Sequence, residues 1–363
     1  MVDGKSFIDQ DKCIHCGRCK AVCPYDAIAH KERPCERACG VKAIESDEQG
    51  RASINQDKCV SCGMCMVSCP FGAISDKSQI FQLAHALREG TDIIAEVAPA
   101  YINQFGEDVT PGKFRSALNQ LGFSNIYEVA LGADVGCISE AHHYAKEVAT
   151  GNLPFLLTSC CPSWSVMAKK YFPTMINNIS QELTPMVATA RIVKKEHPDA
   201  KVVFIGPCAS KKLEAMRHSV RSDVDFVITF EELWGLFDAK NIVPAACEDI
   251  PEETQAATAA GRGYAIAGGV AGAIEACLKE YYPDVPVHIE HAESLAECKK
   301  VLTLAKAGKI KNCMIEGMAC PGGCIGGAGT NAGFAKTSKA LKKYVDSSDP
   351  KIPSQELENL ELN

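Results

Sequence analysis

The chain has 363 residues, of which 46% are hydrophobic and 23% charged, a composition typical of a globular protein with one small and one larger domain. Its net charge of −7 is not gathered into a run of like charges, which argues against a nucleic-acid partner or an anionic membrane surface. We find no apolar signal segment at the N-terminus and no run of about 18 apolar residues that could span a membrane, so we expect a cytoplasmic protein.

The cysteine content is far above that of an ordinary cytoplasmic chain. Twenty cysteines are present, and ten of them precede residue 70. In a reducing compartment, cysteines at this density are more often metal ligands or catalytic groups than partners in disulfides. We therefore expect metal chemistry, with much of it in the N-terminal part of the chain.

The N-terminal part contains a repeated motif. IDQDKCIHCGRCKAVCPYDAI, from Ile8, aligns with INQDKCVSCGMCMVSCPFGAI, from Ile54. Each copy has the C-x2-C-x2-C-x3-C-P spacing of two-cluster ferredoxins. The cysteines of the two copies are Cys13, Cys16, Cys19, Cys23, Cys59, Cys62, Cys65 and Cys69. This spacing predicts a ferredoxin-like α+β domain over residues 1–79 that binds two [4Fe-4S] clusters.

The same spacing predicts how the two copies share ligands. Three cysteines of each loop bind one cluster, and the fourth reaches the other cluster. Cys69 would then complete the cluster of the first loop, and Cys23 that of the second. Two zinc ions, each held by four thiolates, are the alternative. The spacing favours clusters, because zinc does not require this arrangement.

A third, incomplete copy lies between the two motifs. PCERACGVKAI carries Cys35 and Cys39, and its ending resembles CPYDAI and CPFGAI. Two thiolates cannot hold a cubane alone. The two cysteines could form an alternative ligand set, belong to a site completed elsewhere, or be structural thiols, and we favour the absence of a third cluster.

From about Ile80 the sequence pattern changes to that of an α/β domain. QIFQLAHALREG predicts an amphipathic helix that ends at Gly90, followed by the apolar run DIIAEVAPA. Further strands are predicted at PFLLTS, KVVFIG, DFVITF, GYAIAG, VPVHIE and KNCMIEGM. Helices are predicted at SVMAKKYF, AGAIEACLKEYY and SLAECKKVLTLAKAG. The alternation indicates largely parallel sheets.

Several of the remaining cysteines follow predicted strands. They are Cys160, Cys161, Cys208, Cys320 and Cys324. Ligands of open α/β sheets bind beyond the carboxyl ends of the strands, so separate loops can bring these thiols to one point. The other cysteines lie mostly inside helix or strand patterns and fit buried structural positions: Cys137, Cys247, Cys277, Cys298 and Cys313.

Three of these loops together resemble a known family. TSCCPSW (158–164), GPCASKKLE (206–214) and EGMACPGGCIGGAG (316–329) are similar to the signature loops of the iron-only, or [FeFe], hydrogenases, TSCCPxW, PCxxKxxE and ExMxCxxGCxxG. The resemblance runs from the ferredoxin-like segment to about Asp346. It implies a catalytic domain over residues 80–346 and leaves residues 347–363 as a C-terminal tail.

The resemblance implies a particular cofactor, the H-cluster. In this family a [4Fe-4S] cubane is joined through a cysteine sulfur to a two-iron unit that carries CO, cyanide and a bridging amine dithiolate. By motif, the cubane ligands are Cys161, Cys208, Cys320 and Cys324, with Cys324 as the bridge. Cys160 is then free to exchange protons with the bridging amine.

The resemblance also implies residues around the two-iron unit. Lys211 matches the lysine that hydrogen-bonds a cyanide, whereas its neighbour Lys212 should face away and be solvated. Met318 matches the methionine that packs on the two-iron unit. The apolar wall is expected to include Ala98, Pro99 and Pro207.

The proton route beyond Cys160 departs from the pattern of the family. In ADVGCISEAHH, Glu140 matches the outer of two glutamates, and His143 occupies the position nearer the cysteine. Histidine titrates near neutrality and can still shuttle protons. Ser180 matches the serine of the route, whereas Met186 stands where a polar glutamine is expected.

These features predict a hydrogenase that reversibly reduces protons to H2. Its expected partners are a ferredoxin-like electron carrier and the proteins that supply the two-iron unit. A hydrogen sensor is one alternative, but we recognise no sensory or phosphatase-like region in the sequence. An iron-sulfur assembly protein is another, although such a protein would not need Cys160, Lys211 and Met318 together.

Overall fold

The computed structural model describes residues 7–9, 12–13, 17–28, 32–251, 257–360 and 362. In the N-terminal segment the elements are α1 (Arg18–Val22), α2 (Pro34–Ala38), β1 (Ile44–Ser46), β2 (Ala52–Ile54) and α3 (Met64–Val67). The strands β1 and β2 pair as an antiparallel hairpin in which Ile44 lies opposite Ile54. The sequence repeat is visible as a structural repeat, because Gly17 and Gly63 each precede a short helix with a left-handed φ, of 73° and 78°.

The remainder of the described chain alternates strands with helices. The strands are β3 (Ile93–Val97), β4 (Asn125–Glu128), β5 (Phe155–Leu157), β6 (Lys201–Gly206), β7 (Phe226–Thr229), β8 (Ile289–Glu293) and β9 (Cys313–Met318). The helices are α4 (Ile80–Arg88), α5 (Pro111–Leu121), α6 (Val129–His143), α7 (Pro162–Tyr171), α8 (Pro185–Glu196), α9 (Ala209–Ala215), α10 (Phe230–Ala239), α11 (Ala259–Gly263), α12 (Gly269–Tyr281), α13 (Leu295–Lys306) and α14 (Phe334–Ser347). A π-helical turn, Tyr144–Val148, continues α6.

The strands form two parallel sheets. One has the order β4-β3-β6-β7 and the other β5-β9-β8. All pairs within them are parallel, as in Val97 opposite Ile205 and Leu157 opposite Ile315. The fold class predicted from the sequence is therefore confirmed, and each sheet presents the carboxyl ends of its strands along a single edge.

Burial in the core explains why these segments are strands. Every residue of β3 is buried, and all of them are apolar except Glu96. Trp164 of α7 is also fully buried, and its Nε1 donates to the carbonyl of Thr158 at 2.9 Å. A Cβ at Gly317 would lie 2.1 Å from the indole, so this glycine lets α7 pack directly on β9.

One predicted strand is wrong. GYAIAG, residues 263–268, forms the end of α11 and the turns before α12. The chain folds back tightly there, because a Cβ at Gly269 would lie 2.0 Å from the carbonyl oxygen of Gly263, and Gly268 has a left-handed φ of 84°. The strand predicted at VPVHIE lies further along the chain, at Ile289–Glu293. The prediction for KVVFIG matches β6 residue for residue.

The segment predicted as a C-terminal tail packs on the α/β domain. The backbone N–H groups of Ala259 and Ala260 donate to the carbonyls of Pro350 and Lys351 at 2.9 and 3.0 Å. Arg191 reaches the carbonyl of Leu362 at 2.6 Å. In the described part of the chain, no helix is both long and apolar enough to cross a membrane.

Candidate functional site

Four cysteines from three loops meet at one cavity, at the carboxyl ends of β5, β6 and β9. Cys161 directly precedes α7, Cys208 directly precedes α9, and Cys320 and Cys324 lie in the loop after β9. All four line the cavity, and Cys160 lines it with them. The structure thus brings together the ligand set predicted for the catalytic cubane.

The start of α7 explains the sequence CCP. Pro162 occupies the first turn of the helix, where its missing N–H costs nothing, so the helix begins immediately after Cys161. Backbone N–H groups of Ala319 and Trp164 point at the Cys161 sulfur. Such donors stabilise a thiolate, which is the form of cysteine that binds metal.

Burial of these four thiols makes their ionised forms unstable unless a cation is bound beside them. Burial raises the pKa of Cys208 to about 11 and that of Cys324 to about 12, and it also raises the pKa of Cys161 and Cys320. Four thiolates in an enclosed site require a cationic partner, because buried charge without compensation is costly. The donor set therefore fits an iron-sulfur cluster.

The rest of the cavity wall is mainly apolar and includes the predicted cofactor neighbours. These are Ala98, Pro99, Pro207 and Met318, together with Met186. Gly323 also lines the cavity, with a φ of 89°, and a Cβ there would lie 2.6 Å from the backbone nitrogen of Ala267. Glycine thus allows the loop after β9 to close over a bulky group.

Lys211 brings the cationic side chain predicted for this site. It is buried, it lines the cavity, and its Nζ donates to the Glu214 carboxylate at 2.6 Å. Burial opposes its charge, but Glu214 raises the pKa of Lys211 above its ordinary value, so the ammonium is retained. Glu96 also interacts with this ammonium; burial raises its pKa well above the ordinary value, and its carboxyl oxygens have no hydrogen-bond partner in the described chain.

The prediction for Lys212 is wrong in one respect. The residue faces away from the catalytic cavity, as expected, but it is buried rather than solvated. Its Nζ lies 2.8 Å from Asp76 and 2.9 Å from Glu232. Successive helix residues point about 100° apart, and here both directions lead into packed regions. Lys212 ties the segment before α4 to α10.

The order of the proton-route residues is the reverse of the prediction. Glu140 is buried in α6, accepts hydrogen bonds from the Ser159 N–H and from Ser180, and interacts electrostatically with Cys160. His143 is half-buried at the end of α6 and is not among the residues that line the cavity. His143 follows Glu140 by three residues, about 4.5 Å along the helix axis.

Two features hold Ser180 beside Glu140. The Ser180 N–H donates to the carbonyl of Leu157 at 2.8 Å, and Leu157 and Ile179 form a parallel bridge. Ser180 is buried, as is Glu140. Burial raises the pKa of Glu140 to about 7, although the hydrogen bond from Ser180 opposes the shift. The carboxyl can therefore change its protonation near neutral pH.

Tyr264 is a cavity residue that the sequence analysis missed. It is buried, it lines the catalytic cavity, and its hydroxyl has no hydrogen-bond partner among the described residues. An unpartnered hydroxyl in an apolar cavity fits a polar atom of a bound group. No sequence signal marks Tyr264 as a cavity residue, because a tyrosine in the run GYAIAG is typical of a core strand.

The second N-terminal motif lies directly against this cavity. Cys62 lines the catalytic cavity and also a neighbouring cavity lined by Cys39, Cys59 and Cys65. Cys23, the predicted fourth cysteine of the second cluster, is not among the described residues that line this neighbouring cavity. The crossed pairing at that position stays a prediction, and Cys39 stands beside the three cysteines of the second motif in this cavity.

The first motif is described in part. Cys19 is exposed, Cys13 and Cys23 are partly exposed, and Cys16 lies outside the described residues. Cys69 accepts a hydrogen bond from the Ala73 N–H at 3.3 Å. Nowhere in the described residues do three His, Cys, Asp or Glu side chains approach closely enough to hold a single metal ion.

Comparison with known proteins identifies the family. Residues 91–328 match the family model of the iron-only hydrogenase large subunit, C-terminal domain. Residues 12–73 match the 4Fe-4S dicluster domain. The chain belongs to the iron-only hydrogenase family. The five cysteines, Lys211 and Met318 described above all fall within the hydrogenase match.

Individual relatives include both hydrogenases and an assembly factor. The chain is 32% identical to iron hydrogenase 1 of Clostridium pasteurianum over 89% of this chain, but it spans only 64% of that relative. It is 31% identical to the cytosolic Fe-S cluster assembly factor NAR1 of Meyerozyma guilliermondii over 33% of this chain and 25% of that protein.

Solved structures share the fold of this iron-only hydrogenase family member. A variant of the [FeFe]-hydrogenase HydA1 from Chlamydomonas reinhardtii superposes with a TM-score of 0.64 at 22% identity. The match covers 77% of this chain and 92% of that chain. The matched part of the chain thus shares its fold with these solved structures.

Proposed function

We propose that this protein catalyses the reversible reduction of two protons by two electrons to H2. The observation that carries the proposal is the content of one cavity. Cys160, Lys211 and Met318 surround the space beside the four predicted cubane ligands. A protein that held only a cubane would have no use for a proton-exchanging thiol, a buried ammonium and a methionine around additional space.

The cofactors of the proposal are an H-cluster and two N-terminal [4Fe-4S] clusters. Cys161, Cys208, Cys320 and Cys324 would hold the cubane of the H-cluster, with Cys324 as the ligand nearest the two-iron unit. When bound, the H-cluster supplies the iron at which protons and electrons combine. The Lys211 ammonium would stabilise an anionic ligand of the two-iron unit, and Met318, Ala98, Pro99 and Pro207 would form the apolar wall around it.

The proton route begins at Cys160 and continues to Glu140 and Ser180. The Ser159 N–H donates to the Glu140 carboxylate. Because Ser159 directly precedes Cys160 in the chain, this hydrogen bond holds the carboxylate close to the Cys160 residue. Its pKa of about 7 suits both uptake and release of a proton at neutral pH. His143 lies farther along α6 and is proposed as an outer member of the route.

Electrons enter through the N-terminal domain, which we place at residues 1–79, and reach the catalytic domain at 80–346. Cys62 lines both cluster cavities, so the cluster of the second motif would be the one that passes electrons to the catalytic cubane. The electron donor is proposed to be a ferredoxin-like carrier. Maturation proteins must supply the two-iron unit.

An assembly function is the second candidate, favoured by the match to the assembly factor over 33% of the chain. Turnover of anaerobically matured protein separates the two. A hydrogenase evolves H2 from a reduced carrier and consumes H2 when an oxidised carrier is supplied. Matured protein with its full iron content that does neither would contradict the proposed activity and favour assembly.

A further inference from the structure

The second cluster cavity contains a cysteine that the ferredoxin spacing does not assign to it. Cys39 lines this cavity with Cys59, Cys62 and Cys65. The same four side chains influence one another electrostatically, since Cys39 and Cys59 both act on Cys62 and on Cys65. The cavity thus has four thiols, the number that a cubane requires.

The local structure of Cys39 matches that of a cluster ligand. The short helix α2 precedes it, as α3 precedes Cys69. The N–H of Ala43, four residues later, donates to the Cys39 sulfur at 3.1 Å, and the N–H of Ala73 donates to Cys69 in the same way at 3.3 Å. Hydrogen bonds to cysteine sulfur are among the features that tune iron-sulfur clusters.

The hairpin β1–β2 brings Cys39 to the second motif. β1 begins at Ile44, soon after Cys39, and β2 ends at Ile54, shortly before Cys59. The Asn55 N–H donates to the carbonyl of Ala43 at 2.8 Å, and the Cys59 N–H donates to the carbonyl of Asn55 at 2.9 Å. These bonds fix both cysteines at the same end of the hairpin, and α2 packs on α3.

We propose that Cys39 is the fourth ligand of the [4Fe-4S] cluster that Cys59, Cys62 and Cys65 bind. The inference rests on the proposed function only in that the N-terminal domain carries clusters. It assigns the incomplete third motif a role and removes Cys23 from this cluster. Because Cys62 also lines the catalytic cavity, the cluster with the unusual ligand is the one that faces the catalytic cubane.

Iron content and electron paramagnetic resonance of the reduced, anaerobically reconstituted full chain test this assignment. Cys39→Ala should lose the cluster of the second motif or convert it to a three-iron form. Cys35→Ala is the matched control, since Cys35 is buried in α2, just before Cys39, and does not line the cavity. The control should retain the iron content and the resonance of the parent protein.

Double variants identify the partner of the second motif. If Cys39 and Cys59 serve one cluster, Cys39→Ala combined with Cys59→Ala should lose no more iron than Cys59→Ala alone. Cys39→Ala with full iron and an unchanged resonance would overturn the assignment. So would a Cys23→Ala/Cys59→Ala protein that loses no more iron than Cys59→Ala alone, because Cys23 would then be the partner.

A conservative variant covers the case in which Cys39→Ala does not fold. Cys39→Ser keeps a weaker oxygen ligand and should shift the resonance and the reduction potential of one cluster. An unchanged spectrum and potential would contradict ligation. These measurements do not involve hydrogen turnover. The ligand assignment of Cys39 can therefore fail while the hydrogenase proposal stands, and the hydrogenase proposal can fail while the ligand assignment stands.

Discussion

Cys160 and Cys161 are adjacent in the chain, but their thiols have different surroundings. Cys161 receives N–H groups from Ala319 and from the first turn of α7, which suits a metal ligand. Burial, followed by the nearby Glu140 carboxylate, raises the pKa of Cys160 well above the ordinary value, which keeps the thiol protonated. The pair therefore suits a division between metal binding and proton exchange.

Replacement of Cys160 tests this division. We expect Cys160→Ala to lower H2 turnover by at least about a hundredfold, since general acid-base groups contribute this much or more, while the iron content stays the same. Cys247→Ala is the control, because Cys247 is a buried cysteine outside the cavity. Full turnover by Cys160→Ala would refute the role of this thiol as proton donor.

Glu140 is expected to make stability depend on pH. Burial, aided by Glu182 and Glu316, raises its pKa from 4.5 to about 7, so the folded protein holds this proton more tightly than the unfolded chain. Cys160 and Tyr264 face the same carboxyl. Stability from this group is complete below pH 4.5 and is lost as pH rises through 7, a difference of about 3 kcal/mol.

Glu140→Gln should remove that dependence. The variant cannot ionise, so its urea midpoint should exceed that of the parent at pH 8, and the gap should close toward pH 5. Its H2 turnover should fall, because the carboxyl no longer relays protons. Glu147→Gln, at a half-buried site just beyond α6, is the control. Identical midpoints for Glu140→Gln and the parent at pH 8 would contradict a buried, ionising Glu140.

At the scale of elements, the contact between the second motif and the catalytic loops depends on Gly63. A Cβ at Gly63 would lie 2.6 Å from the Cβ of Ala328 and 3.2 Å from that of Ala209. Ala209 directly follows Cys208 and begins α9, and Ala328 lies four residues after Cys324. Lys170 also donates to the carbonyl of Cys59 at 2.8 Å across this junction. The two cluster cavities are thus held side by side by close packing.

Gly63→Ala should disturb this junction. We expect slower H2 evolution from an external protein donor, with little change in iron content. Gly50→Ala is the matched control, because Gly50 has a similar φ of 73° but no atom of the described chain within 4 Å of the added Cβ. Both variants incur the left-handed penalty of about 1 kcal/mol. Equal turnover by the two variants would show that the junction does not limit electron transfer.

The elements that sequence could predict are those with one dominant signal. KVVFIG is an uninterrupted apolar run and forms β6 as predicted, and the cysteines at strand ends meet as parallel strands require. GYAIAG carries the same apolar signal, yet tertiary packing around Gly263 and Gly269 decides its conformation. The burial of Lys212 depends on Asp76 and Glu232, which lie far apart in the chain.

The candidate site was predictable to the same extent. The four proposed ligands of the catalytic cubane follow from the resemblance of the loops to those of the family, whereas the proximity of Glu140 to Cys160 depends on tertiary contacts of α6 with Ser159 and Ser180. Cys39 could be recognised as an incomplete motif, but its position beside Cys59 depends on the hairpin β1–β2. Tyr264 has no sequence signal, because its importance lies in an unpartnered hydroxyl.

At the scale of the whole molecule, the two cavities lined by cysteines are neighbours. The cavity of Cys39, Cys59 and Cys65 shares Cys62 with the catalytic cavity, and Cys62 interacts electrostatically with Cys320. Cys160 lines the catalytic cavity, and the buried Glu140 interacts with it. Under the proposed function, electrons would arrive from the N-terminal domain and protons through Glu140 and Cys160, and the two paths would meet at this cavity.

The most direct test of hydrogenase activity is an infrared spectrum of the anaerobically matured protein in the CO and cyanide stretching region, recorded before and after exposure to H2. We predict CO and cyanide bands that shift on exposure to H2, because the cavity would hold a two-iron unit that reacts with H2. Fully matured protein without such bands would contradict the account, and its four cysteines would then hold a cubane alone.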